Sequence, residues 1–251
     1  MHITLKRSSV IALLFSVLFF SLANGQVFKL YSFSGEKQSI QILPINGKAI
    51  LAIICSKDTV YIKNVNEIKI AKILNDKFLI VTYSFRAGSG INATKTVILS
   101  VSQNHIYQSL HVTSFLKEDF LDFRKPTNPM TVAVKTLYNT DLSLTGSTKE
   151  NYKIRAKIHN ERKSVAEPKS NFNTNLITNL KFDKDQNVFY SSHEYISRYF
   201  TIFEPKSGSK QKGYLKGTFP SVKFGKDKYY YINGEWYDRS DGNYLAKYTY
   251  R

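Results

Sequence analysis

Beyond residue 26 the apolar positions fall in short runs separated by polar punctuation, not at helical spacing. Residues 38–45, 48–54, 59–63, 68–74, 78–85, 95–101 and 106–112 are each rich in Ile, Val, Tyr and Phe and are bounded by turn-forming residues. This pattern predicts strands, because branched and aromatic side chains suit a pleated surface while Gly, Asn, Asp and Ser end it. Asn46-Gly47 and Asn233-Gly234 predict tight hairpins, since both residue types tolerate the positive φ of a primed turn. Over residues 152–158 the period is two: Tyr152, Ile154, Ala156 and Ile158 share one face, and Lys153, Arg155 and Lys157 the other. That strand has a core side and a wet, basic side.

Helix is expected only at 115–123, where five apolar side chains cluster before Pro126 and Pro129, and at 194–203. Residues 160–175 are polar, contain Pro168, and read as a loop or linker between a β-meander region (26–159) and a basic, aromatic-rich β region (176–251) packed on it. A strand, polar turn and Tyr recur, with marker residues Tyr61, Tyr107, Tyr152, Tyr190 and Tyr230 spaced by 38 to 46 residues. The spacing lies near that of propeller blades. The fold class is therefore all-β, an antiparallel meander of short strands. It forms either a propeller-like array of about five irregular units or a sandwich or barrel.

The N-terminus changes the cellular picture. Lys6 and Arg7 precede an apolar run from Val10 to Leu22, and Ala23-Asn24-Gly25 supplies small residues for a signal peptidase, with Gln26 as the new terminus. The run is shorter than the roughly 20 residues a spanning helix needs. Residues 1–25 are read as a cleavable signal peptide, and the mature chain as periplasmic or extracellular, with no membrane span. The lone Cys55 cannot close an internal disulfide, and its apolar setting marks it as a small buried hydrophobe.

Charge narrows the partners. There are 36 Lys and Arg against 19 Asp and Glu, a net +17. Loss of Lys6 and Arg7 with the signal peptide leaves the chain strongly cationic. Such an excess favours association with polyanions, nucleic acid only nonspecifically. Lys206, Lys210, Lys212, Lys216 and Lys223 are interleaved with rings and followed by Trp236 and Tyr237; cations supply charge and ring faces stack on sugars. The stretch from Tyr230 to Tyr237 (Tyr-Tyr-Ile-Asn-Gly-Glu-Trp-Tyr) resembles, over about ten residues, the aromatic, Gly-turn repeats of cell-wall glycan-binding modules.

Catalytic chemistry is not legible. Asp183, Asp185, Asn187 and Glu194 resemble the ligand spacing of a calcium-binding EF-hand loop, but Val188 stands where that loop requires Gly, so a hairpin turn built by Asp and Asn is the stronger reading. His105, His111, His159 and His193 lack metal-ligand spacing and read as structural; no metal site and no cofactor is assigned. Ser89 in Gly88-Ser-Gly90 is a loop, not a nucleophile elbow, and Glu118, Asp119 and Asp122 read as a solvated acidic turn. The sequence thus points to a non-catalytic binding or envelope-associated module for an anionic or glycan partner, such as an acidic polysaccharide. The competing class is an exported hydrolase whose site is dispersed over loops. A structural envelope subunit is a third.

Overall fold

The computed structural model describes residues 25–45, 49–85, 90–121, 132–145, 151–165 and 167–191, and within the C-terminal part 195–196, 199–203, 210–214, 219–224, 227–232 and 235–238. The expected signal peptide, apart from Gly25, lies outside them. Strands β1 (Gln26–Tyr31), β2 (Lys37–Ile45), β3 (Ile50–Cys55) and β4 (Asp58–Lys63) form a four-stranded antiparallel meander. Strands β5 (Val65–Leu74), β6 (Phe78–Phe85), β7 (Ile91–Ser102), β8 (His105–Leu121), β9 (Val132–Thr145), β10 (Lys153–Ser164), β11 (Phe172–Asp183) and β12 (Val188–Ser191) follow as one eight-stranded meander in strict chain order. In the C-terminal part β13 (Tyr195–Ile196) pairs with β16 (Phe219–Phe224), which continues to β17 (Asp227–Ile232) and β18 (Glu235–Asp238). A separate pair joins β14 (Tyr199–Phe203) to β15 (Lys210–Tyr214).

The all-β, antiparallel class is as expected. No sheet closes on itself among the described residues, so the ladders show neither a barrel nor a propeller ring.

Turn chemistry sets several hairpins. Asn75 and Asp76 join β5 to β6, and Gln103 and Asn104 join β7 to β8, all four with positive φ. Two consecutive positive φ values make the primed turn whose twist matches the flanking strands. The expected Asn46-Gly47 and Asn233-Gly234 turns lie outside the described residues, although the strands they were expected to join, β2 with β3 and β17 with β18, are paired.

Two apolar clusters share β6 and β7. Leu79, Val81, Tyr83, Val97, Leu99 and Val101 pack against Leu30, Ile40, Leu51 and Ile53 of the first sheet. Phe78, Ile80 and Ile98 point the other way, into a cluster with Leu110, Val112, Ile154, Ala156, Ile158, Leu180 and Phe189. Burial on both faces explains why β6 begins as an unbroken apolar run (Phe78-Leu-Ile-Val81) while β10 alternates.

The second cluster also reveals curvature. Phe78 on β6 and Phe189 on β12 have ring centroids 5.1 Å apart, although they lie six strands apart in the sheet. A flat sheet would separate them by about 29 Å at ~4.8 Å per strand. The eight-stranded sheet therefore curls so that its interior face packs on itself, with Phe33, Tyr152 and Phe182 completing the ring cluster.

Three local expectations are corrected. Of the residues expected to form a helix at 115–123, 115–121 instead continue β8, paired with β7 and β9, so Glu118 and Asp119 sit on a strand, with Asp119 ion-paired to Lys117 at 2.9 Å; Phe123 lies outside the described residues. Asp122 lies outside the described residues. Residues 195–196 and 199–203 are strands, not a second helix. The polar segment 160–175 is no linker along its length, because β10 runs to Ser164 and β11 starts at Phe172 with Asn160 opposite Thr174. Only a short turn remains between them, including a 3-10 turn at Pro168–Ser170.

Gly90, which opens β7, has φ +79, and a Cβ there would lie 2.7 Å from the Asp119 carbonyl oxygen. The close approach is used, because the Asp119 amide donates to the Gly90 carbonyl at 3.0 Å. Gly90→Ala is expected to cost about 2–3 kcal/mol, combining the positive-φ penalty with the clash. Equilibrium urea unfolding of residues 26–251 measures it.

Candidate functional site

The outer face of β9, β10 and β11 is built by simple alternation. Because Ile154, Ala156 and Ile158 enter the core, Lys153, Arg155, Lys157, His159, Glu161 and Lys163 face outward. The register aligns them with Thr145, Ser143, Asp141, Asn139, Leu137 and Lys135 on β9. On β11 the outward neighbours are Lys181, Asn179, Ile177, Asn175 and Asn173. The face carries Lys135, Lys153, Arg155, Lys157, Lys163 and Lys181 against Asp141, Glu161 and Asp183, the remainder being mostly amides and hydroxyls.

Its charges are not evenly compensated. Glu161 pairs with Lys163, and that hydrogen bond, aided by the fields of Lys163, His159 and Lys135, holds its carboxyl below the usual range despite an opposing desolvation effect. Lys157 stands directly opposite Asp141. His159 Nδ1 and Asn175 Oδ1 are 3.0 Å apart. At the other end Lys153 stands opposite Lys181, with Arg155 two residues along, and among the described residues no carboxylate forms an ion pair with any of the three. Like charges directly opposite across strands destabilise a sheet. Asp183, two residues beyond Lys181, accepts from the Asp185 and Gln186 amides at 2.9 and 3.1 Å, which caps the β11–β12 turn. Around Lys153 and Lys181 the same row of the ladder presents Thr145 and Tyr190, and the next presents Ser143 and Asn179.

The residues expected to bind from sequence are only partly gathered. Lys206 and Lys216 lie outside the described residues. Lys210 and Lys212 are on β15, in register with Phe203 and Thr201 of β14. Lys223 is exposed on β16 opposite Lys228, whose ammonium lies 5.6 Å from the Tyr230 ring centroid. Tyr237 is on β18, in register with Tyr230. Trp236 packs against the interior cluster and donates its indole N–H to the Gln108 carbonyl at 2.8 Å, so much of its ring is a packing surface. The sequence reading of β10 as a strand with a basic side holds. What it missed was the lateral contribution of Lys135 and Lys181, for which no local signal exists because register brings them there.

A recess of about 250 Å³ opens elsewhere, between β4, β8 and β17, lined by Asp58, Val60, His105, Ile106, Tyr107, Gln108 and Tyr231. Asp58 Oδ2 accepts from the Ile106 amide at 2.9 Å and lies 3.6 Å from His105 Nδ1. Burial, with a lesser contribution from neighbouring Tyr107, pushes the Tyr231 phenol up from its ordinary value.

The other candidates have local partners among the described residues. Cys55 is buried and its thiol donates to Gln38 Oε1 at 3.1 Å. The His111 ring is 2.7 Å from the Tyr83 hydroxyl, whose pKa burial raises strongly. The segment from Asp183 to Asn187 is the turn of a hairpin between β11 and β12, with Asn187 at φ +54. No group of three or more potential metal-ligating side chains occurs among the described residues. His193, Glu194 and Ser89 lie outside them. No helix among the described residues is long and apolar enough to cross a membrane. No protein-family model, curated protein or solved structure matches the chain.

Proposed function

We propose that the mature chain, residues 26–251, is an exported, non-catalytic binding module that holds an acidic polysaccharide at the cell envelope. The observation that carries this reading is the outer face of β9–β11, where Lys153, Arg155 and Lys181 converge without an ion-paired carboxylate among the described residues. Like-charge strand pairs lower stability, and an anion lying between Lys153 and Lys181 relieves that repulsion. Ser143, Thr145 and Asn179 add neutral hydrogen-bonding groups suited to sugar hydroxyls. Nucleic acid fits this face less well, because single strands are held on successive aromatic platforms, whereas the outward positions of these three strands carry one ring, His159, with Tyr190 beside Lys181 on β12. Lys223, exposed on β16, adds a further cation to the surface.

The test is binding of residues 26–251 to acidic polysaccharides, single-stranded DNA and anionic vesicles across a salt series. Saturable binding to one acidic polysaccharide near physiological salt is the expected result. Equal and steeply salt-sensitive binding to every polyanion reduces the charge to a nonspecific property and overturns the reading, as does no binding at all.

A further inference from the structure

The recess at the meeting of β4, β8 and β17 has a lining that the basic face does not use. Three chain segments distant in sequence fix its walls. The β3–β4 and β7–β8 turns are tied by Ser56 Oγ to Asn104 Oδ1 at 3.1 Å and by Asp58 Oδ2 to the Ile106 amide. The β17–β18 hairpin is held by the Trp236 indole on the Gln108 carbonyl, and Tyr231 packs 5.2 Å from the Trp236 ring. A site held this way costs little ordering when a ligand enters.

Its chemistry is planar and polar. The residues around it carry a carboxylate, an imidazole, a carboxamide and two phenols (Asp58, His105, Gln108, Tyr107 and Tyr231), with Tyr107 and Gln108 on opposite faces of the β8 edge. Planar acceptors and donors pair with adjacent hydroxyls, and aromatic faces suit the C–H face of a pyranose ring. The volume is below the roughly 300–1,000 Å³ of pockets for drug-sized ligands, which limits the occupant to one ring. Asp58 disfavours an acidic sugar inside. We infer that this recess is a subsite for a single neutral or amino sugar residue, separate from the polyanion face.

Glycoside hydrolysis commonly uses two carboxyl groups flanking the bond, and among the described residues Asp58 is the one carboxyl in this lining.

Trp236 is the only tryptophan in the chain, so its fluorescence reports on the recess. Residues 26–251 are titrated with glucose, galactose, mannose, N-acetylglucosamine and glucosamine, with glycerol as the polyol control. A saturable change with at least one sugar, with Kd on the order of a millimolar, is expected. Tyr107→Phe and Gln108→Ala should each weaken it about tenfold by removing a side-chain hydrogen bond. Thermal unfolding of both variants separates lost binding from lost structure. The Lys153→Glu, Arg155→Glu, Lys181→Glu protein should keep the sugar response, which distinguishes failure of this subsite from failure of the polyanion reading. No saturable change with any sugar, a change matched by glycerol, or one unaltered in both recess variants overturns the assignment.

Discussion

Replacing Phe78 by alanine is expected to destabilise the chain by about 3–5 kcal/mol, the range for truncating a buried aromatic. The side chain is fully buried, and its ring lies 5.1 to 5.8 Å from those of Phe33, Tyr152, Phe182 and Phe189. These partners come from the β1–β2 turn, the start of β10 and both sides of the β11–β12 hairpin. The substitution therefore opens a void where the curled sheet packs on itself. No single neighbour can fill it without moving a strand. Since a domain is stable by only about 5–15 kcal/mol, the loss is a large fraction of the total. Guanidinium unfolding of residues 26–251 measures it, with Phe78→Leu as the milder comparison. A cost below about 1 kcal/mol would show that the interior cluster does not hold the curl.

The triple variant Lys153→Glu, Arg155→Glu, Lys181→Glu is expected to lose acidic-polysaccharide binding by at least about a hundredfold, since each position exchanges attraction for repulsion. Stability should change little, because Arg155 and Lys181 are exposed and Lys153 is half-buried at the sheet surface. The single change Lys153→Glu should even stabilise slightly, by up to about 1 kcal/mol, as a Lys–Lys cross-strand pair becomes Glu–Lys. A control with the same change in net charge, Lys57→Glu, Lys63→Glu, Lys72→Glu, places the reversals on exposed positions of the β3–β4 turn, β4 and β5. If both triples weaken binding equally, net charge is responsible and the β9–β11 face is not a site. Loss confined to the first triple assigns the effect to that face.

The strands that could be read locally were those whose pattern was uninterrupted. β6 spans Phe78–Phe85, as its apolar run and flanking turn residues indicate, and the alternation at 152–158 gives the two faces of β10 correctly. The misread segments share a cause. At 115–123 the phenylalanines are spaced by five and three residues around Lys117, Glu118 and Asp119. The register shift against β7 leaves Ser114 as the extra residue just before this segment, and the shift against β9 leaves Ala133 of β9 as the extra residue opposite Phe120 and Leu121. Residues 115–121 themselves pair regularly, but none is fully buried, so no core face imposes the alternation by which strands are recognised. At 160–175 the polarity is real, but it reflects a hairpin exposed on both faces at its far end: Asn173, Thr174, Asn175, Leu176 and Ile177 are all exposed. Strand pairing there rests on backbone hydrogen bonds to neighbours distant in sequence, which composition does not record.

The site divides the same way. One row of cations, Lys153, Arg155 and Lys157, is a property of the sequence of β10. Its neighbours Lys135 and Lys181, and the meeting of Asp58, His105, Tyr107 and Tyr231 in one recess, are consequences of register and hairpin packing. By itself the sequence determined the strand-rich class, the cationic excess and the face each residue of an unbroken strand presents, because these depend on side-chain chemistry and a period of two. Tertiary structure alone decided the order of the sheets, the curl that brings β6 against β12, and the grouping of charges and rings into surfaces. Those depend on pairings between residues far apart in the chain, where a one-residue shift in register turns a core face outward.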